Sequence, residues 1–407
     1  MKFAWLKKAQ PQILIEKLMG NRNIVNDKVS FSAFEFNEQL PVLCNMLEID
    51  RVFPRDVLIG FVMKALFQPV VKLSHTELLQ SINKQLHEYN QKAEENYVLI
   101  TTINLLPSNK IPSMKLQNCK ISFHFGLPKR YINGRLKAIS NVSSWLISED
   151  EKNCLFVKVC VSAKSFSEAA NKALSSLDLL RGIWCLRHNK VMRFSSGGVK
   201  QPVNTIRLGA LHTLHLPNGN LATETFWFEP NYFKSHARED LSSNNYLALR
   251  FAKNVFKDLS KKSYKDELEI GIIKLVRSLD GNDLSSCLIN LWSTMEYLTQ
   301  TLFDSYDKTI RRAVFLWVDQ DFHKQILENL RNYRNSTVHS GSDYNDCEVF
   351  LYQLKGYVEK LLCFHIGVKF KFKDFSEACF FLDNNSDLEF VKRQRKKLSF
   401  CIDFLSR

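Results

Sequence analysis

Asp283-Leu284-Ser285-Ser286-Cys287-Leu288-Ile289-Asn290-Leu291-Trp292-Ser293-Thr294-Met295-Glu296-Tyr297-Leu298-Thr299-Gln300-Thr301-Leu302 is the stretch whose reading decides the fold of the C-terminal half. Leu288, Leu291, Trp292, Met295 and Leu298 recur every three or four residues, so they form one apolar stripe of a helix, and Asp283 stands where a carboxylate caps a helix start. The same pattern recurs in Tyr246–Leu259, Asp266–Leu279 and Asp343–Gly367, and after Pro230 the strand signals almost cease. Several amphipathic helices joined by short connections imply a helical bundle.

The preceding chain reads differently. Tyr97–Leu106 is rich in β-branched residues, and Ile121, Phe123 and Phe125 alternate with polar neighbours, as strands do. Cys154–Val161 is almost continuously apolar, the pattern of a strand covered on both faces. Ser165 and Glu168 have capping-box spacing, and Phe166, Ala170, Ala173, Leu177 and Leu180 supply the stripe of the helix that follows. Pro217-Asn218-Gly219 is a hairpin turn, while Ser195–Asn204 reads as a loop. Nearer the start, Ser30–Phe36 alternates like a strand, Thr76–Glu95 is polar and helical, and Val57–Met63 is a core element too short for the roughly 20 residues of a membrane span. The expected class is therefore α+β, with a mixed α/β domain over 1–240 followed by an all-α helical bundle over 241–407.

Inside the helical half lies Arg334-Asn335-Ser336-Thr337-Val338-His339. Phe322, Ile326, Leu330, Tyr333 and Thr337 form the buried stripe of its helix, and Ser340-Gly341-Ser342 ends that helix. Metal-independent RNA cleavage needs a base for the ribose 2′-OH and a cation for the phosphate. Histidine titrates near neutrality, and arginine forks onto phosphate oxygens at any physiological pH. Asn335 and His339 share a helix face one turn apart. Arg334 lies about 140° round from His339, and Arg331 falls on the Asn335/His339 face.

This hexapeptide resembles the HEPN superfamily motif, an Arg, a polar residue and a His a few positions on. "LRNYRNSTVHSG" (Leu330–Gly341) is most similar to the Apea-like branch, with Ser340 standing where Gly directly follows the His in the commonest form of that branch. "LINLWSTMEYLT" (Leu288–Thr299) resembles the helix on which such proteins place an aromatic residue and a Glu, here Trp292 and Glu296. The likeness covers roughly the last 160 residues. It implies a bundle that dimerises to form a composite cleft and a metal-independent endoribonuclease, often a toxin or anti-phage effector acting by abortive infection. By matched position, Arg334 would bind the phosphate, Asn335 orient it and His339 move the proton, with Glu296 in support. The alternative is a non-catalytic HEPN module that binds RNA or a protein.

Composition agrees with an anionic partner: the chain has 407 residues, a formal net charge of +14 and a pI near 9.2. Arg311 and Arg312 precede the motif helix, and Lys392-Arg393-Gln394-Arg395-Lys396-Lys397 places five cations in six positions; these are the candidate RNA contacts, against the plainer reading of a solvated helix face. Ten cysteines without a C-x-x-C pair argue against a zinc ribbon and suit a reducing cytoplasm. His212 and His215 fall on opposite faces of a strand and would not share a metal, and Cys363 reads as core. No Gly-rich phosphate loop or Gly-x-Ser-x-Gly elbow is present. The expectation is RNA as partner, a homodimer, no cofactor, no metal and no membrane.

Overall fold

The computed structural model describes residues 2–26, 28–49, 53–70, 72–106, 111–140, 142, 154–195, 200–232, 239, 245–340 and 346–406, with the side chains of 33, 245, 246 and 338–340 outside the description.

The first 91 residues build a small unit of their own. Strands β1 (Ala4–Trp5), β2 (Arg22–Val25), β3 (Lys28–Phe31) and β4 (Leu47–Glu48) alternate with helices α1 (Pro11–Gly20), α2 (Ala33–Asn45), α3 (Arg55–Leu66) and α4 (His75–Gln91). β1 pairs with β4 and β2 with β3, both antiparallel. The helices close on Ile15, Leu18, Leu43, Val62, Leu78 and Ile82, which form a separate buried core. Ser74 and Glu77 make a full capping box at the start of α4. The alternation over Ser30–Phe36 is only half a strand. β3 ends at Phe31 and α2 begins at Ala33, so Phe36 is buried by helical geometry and Phe34 is exposed. Aromatic residues two apart fit either period over so short a run.

Six strands then form one antiparallel sheet: β5 (Glu95–Ile103), β6 (Met114–Leu116), β7 (Cys119–His124), β8 (Leu155–Ala163), β9 (Leu211–His215) and β10 (Leu221–Phe228), in the order β10-β9-β5-β8-β7-β6. The central pair β5 and β8 runs in register from Glu95↔Ala163 to Ile103↔Leu155. At the β9–β10 hairpin Gly219 has φ +101°, and a Cβ there would lie 2.3 Å from the Arg130 carbonyl, which explains the glycine. The end of the β5 reading at Pro107 lies outside the described residues.

Helix α5 (Ile132–Ile139) meets β9 and β10, and helix α6 (Phe166–His188) packs on β5, β7 and β8. Arg135 of α5 is buried and donates to the Ile100 and Leu211 carbonyls and to Thr213 Oγ1, at 3.1 to 3.3 Å. His212 and His215 are both buried: His212 Nδ1 lies 2.6 Å from Thr101 Oγ1, and His215 Nε2 lies 3.0 Å from Thr213 Oγ1. At the start of α6, Ser165 accepts from the Glu168 amide, but the Glu168 carboxylate takes the Lys164 amide and the Tyr89 hydroxyl instead of closing the box. Phe166 is exposed, whereas the run Ser176–Leu186 is buried on every face.

That burial comes from the helices beyond. After residue 245 the described elements are helices only: α7 (Asn245–Leu259), α8 (Lys265–Ser278), α9 (Leu284–Leu298), α10 (Tyr306–Val314), α11 (Gln320–Ser340), α12 (Cys347–Gly367), α13 (Phe375–Phe381) and α14 (Leu388–Leu405). The class is α+β. α6 lies between sheet and bundle, so a single buried core runs from Tyr97 to Leu382. Contact with α8 is close enough at Gly182 that a Cβ would meet Ile272 Cγ2 at 2.7 Å. A buried polar bolt ties the same layers: Arg181 on α6 donates to Asp178 at 2.6 Å and to both oxygens of Asp280 at 2.7 Å, and Asn204 reaches Asp280 at 2.8 Å.

In α12 the buried stripe runs through Leu351, Leu354, Val358, Leu361 and His365, which leaves Cys363 on the exposed side; the expectation of a core cysteine is corrected. His365 Nε2 lies 3.0 Å from the Leu298 carbonyl. No helix of the described residues is long and apolar enough to cross a membrane.

Candidate functional site

Three helices bring Trp292, Glu296, Tyr306, Arg334 and Asn335 together. Asp283 caps α9 by accepting the Ser285 and Ser286 amides, and the helix then carries Trp292 and Glu296 one turn apart. Trp292 is wholly buried, and its indole donates to Glu296 Oε1 at 3.0 Å. Its ring meets Tyr306, the first residue of α10, edge to face at 6.0 Å. Leu327, Leu330, Tyr333 and Thr337 bury α11, while Phe322 at its start is exposed. The turn that follows Ser340, including Gly341 and Asp343, lies outside the described residues.

Anchored in this way, α11 directs Arg334 back towards α10. Arg334 Nη1 donates to the Tyr306 hydroxyl at 2.8 Å and to Asn335 Oδ1 at 3.1 Å, and its guanidinium carbon lies 5.4 Å from the Tyr306 ring centroid. Both acceptors are neutral. Among the described residues no carboxylate forms an ion pair with Arg334, and its buried Nε has no hydrogen-bond partner. Burial pushes the Glu296 carboxyl up, against the opposing pull of the Trp292 indole and the Arg334 charge. Glu296 therefore belongs to the same electrostatic unit, with its hydrogen bond made to Trp292 and not to Arg334. A half-buried guanidinium held by neutral oxygens, with no carboxylate in ion-pair contact, can take an added anion as its ion-pair partner.

His339 lies on the last turn of α11, four residues after Asn335, and its ring is outside the described residues. Arg331 is held by two carboxylates, Asp307 at 2.9 Å and Glu328 at 2.7 Å. Arg312 is buried and forks onto Asp383, its Nη1 also donating to the Thr299 carbonyl at 2.5 Å. Those hydrogen bonds from Arg312 hold the Asp383 carboxyl down at about 2. Arg312 thus locks α10 to the end of α13. Arg311 shares Asp383 at 2.9 Å, but its side chain is 62% exposed. Lys392, Arg393, Arg395, Lys396 and Lys397 all lie on α14, where no residue is buried, and Lys392 pairs with Glu389 at 2.7 Å.

Tyr306 is the member that sequence reasoning missed. Twenty-eight residues separate it from Arg334, and no helical spacing rule links positions on different helices. Among the described residues no group of three His, Cys, Asp or Glu side chains could hold a metal ion. No protein-family model, no curated protein and no solved structure matches this chain.

Proposed function

We propose that the chain is a metal-independent endoribonuclease. His339 takes the proton from a ribose 2′-OH, the 2′-oxygen attacks the adjacent phosphorus, and the P–O5′ bond breaks as the 5′-oxygen takes up a proton from water; His339 then returns its proton to the solvent. The products are a 2′,3′-cyclic phosphate and a 5′-hydroxyl end. Arg334 neutralises the charge that builds on the phosphoryl oxygens, and Asn335 orients the phosphate. In this reading the active form is a homodimer whose two motifs face one cleft, acting on RNA in the cytoplasm as a toxin-like effector of anti-phage defence.

The observation that supports it most is the setting of Arg334. Arg311, Arg312 and Arg331 all have carboxylate partners, whereas Arg334 is fixed by the neutral Tyr306 and Asn335 oxygens. An arginine held by a carboxylate already has its counter-charge within the fold. One that is positioned yet not neutralised suits a ligand that brings its own negative charge.

Incubating the protein with total RNA in EDTA, beside Arg334→Ala and His339→Ala variants, tests this. Cleavage to cyclic-phosphate ends by the wild type, reduced by at least about a hundredfold in each variant, is the expected outcome. Cleavage that needed a divalent metal, or that persisted in both variants, would exclude the mechanism. RNA binding without cleavage would leave the non-catalytic binding module as the function.

A further inference from the structure

Helix α14 is the least accounted-for element of the molecule. Asp387 caps it by accepting the Glu389 and Phe390 amides, so it starts as a well-formed helix, yet none of its 18 residues is buried. At about 100° per residue, Phe390, Val391, Leu398, Ile402 and Leu405 fall within an arc of about 120°. All five are exposed, Leu398 at 62%, Ile402 at 64% and Leu405 at 78%. Lys392, Lys396 and Arg393 lie on the opposite side together with the exposed Phe400 and Phe404, and Lys397 and Arg395 border the apolar arc on its two edges. Five cations stand against two acids, Glu389 and Asp403.

We propose that α14 binds an anionic lipid surface, lying in its plane with the apolar arc among the acyl chains and the lysines and arginines at the headgroups. Charge complementarity selects this occupant. A helix with an apolar stripe and a basic opposite face is the form that settles at such an interface, where long cationic side chains reach outward while their stems stay apolar. A second copy packed α14 against α14 would set the same five cations against one another. RNA would satisfy the cations but leave Leu398, Ile402 and Leu405 in water. The helix is too short and too charged to span a bilayer. Surface attachment departs from the expectation of no membrane partner, which rested on the lack of a spanning segment. It stands independently of the ribonuclease reading.

The test is co-sedimentation of the full chain with vesicles of phosphatidylcholine alone and of phosphatidylcholine mixed with phosphatidylglycerol, at low and high salt. Binding to the mixed vesicles should exceed binding to the neutral ones by about tenfold or more and weaken with salt. Lys396→Glu with Lys397→Glu should abolish the preference, and Leu398→Asp with Ile402→Asp should abolish binding altogether; circular dichroism should show the body still folded, since none of these side chains is buried. Failure of the wild type to sediment with either vesicle overturns the proposal. So does light scattering in which the Leu398/Ile402 variant alone splits a dimer that binds no lipid. A third overturning result is a gel shift in which the lysine variant alone weakens RNA binding while vesicles go unbound.

Discussion

Arg334 and Tyr306 form a two-point contact: the guanidinium donates to the phenol oxygen at 2.8 Å while its carbon lies 5.4 Å from the same ring. The ring is in turn set by Trp292. Tyr306, on another helix, thus shares with Asn335 the positioning of the arginine, and Glu296 adds to its electrostatic environment.

Tyr306→Phe keeps the ring and removes the hydrogen bond. Loss of one such bond is worth about 1 to 1.5 kcal/mol, so single-turnover RNA cleavage in EDTA should fall by about tenfold, with the melting temperature lowered by no more than a few degrees. An unaltered rate would mean that Tyr306 has no part in holding Arg334.

Arg311 and Arg312 should separate cleanly. Arg312→Ala leaves Asp383 without its fork and should destabilise the fold by about 3 kcal/mol, whereas the exposed Arg311→Ala should cost under about 1 kcal/mol. Urea denaturation measures both. The Asp383 contribution is full above the ordinary carboxylate value near 3.8 and is lost as pH falls towards its folded value of about 2. If Arg311 rather than Arg312 touches RNA, only Arg311→Ala should weaken a gel shift with stability intact.

His215 and His365 are both pushed down to about 4, by burial above all. The unfolded chain therefore takes up protons that the folded chain refuses between about 6.5 and 4. Stability should be full above 6.5, decline as pH falls through that window and receive no further penalty from these rings below it. Each unit of displacement is worth about 1.4 kcal/mol. Replacing His365 by Gln should flatten the decline in a pH series of urea midpoints; an unchanged slope would show that His365 does not contribute to it.

Gly182→Ala probes the layer shared by sheet and bundle. The added methyl would sit 2.7 Å from Ile272 Cγ2, an overpacking that costs about 1 to 3 kcal/mol. Because the core from Tyr97 to Leu382 is continuous, the sheet and the helices should unfold together at a lower midpoint. Separate transitions would show that α6 does not couple them.

Much of the fold was legible from periodicity. The stripe Leu288–Leu298 repeats with the helical period, the run Cys154–Val161 is short and rich in valine as buried strands are, and Pro217-Asn218-Gly219 carries the turn residues of the hairpin. Ser30–Phe36 misled because seven residues are too few to separate periods of two and 3.6, and Phe322, Phe166 and Cys363 misled because their burial depends on what lies opposite. α10 went unread for the same reason, being short and polar in average character despite its buried Ile310 and Ala313.

At the candidate site the chain order alone determined that Arg334, Asn335 and His339 ride one helix, and that Trp292 and Glu296 sit one turn apart on another. Those are relations within an element, set by the 1.5 Å rise and 3.6-residue turn. Which arginine lacks a carboxylate in ion-pair contact was decided only in three dimensions. Asp307 and Glu328 take Arg331, Asp383 takes Arg312, and Tyr306 reaches Arg334 with a neutral oxygen. Pairing between helices depends on their packing, and packing is settled by the whole core at once rather than by any local run of residues.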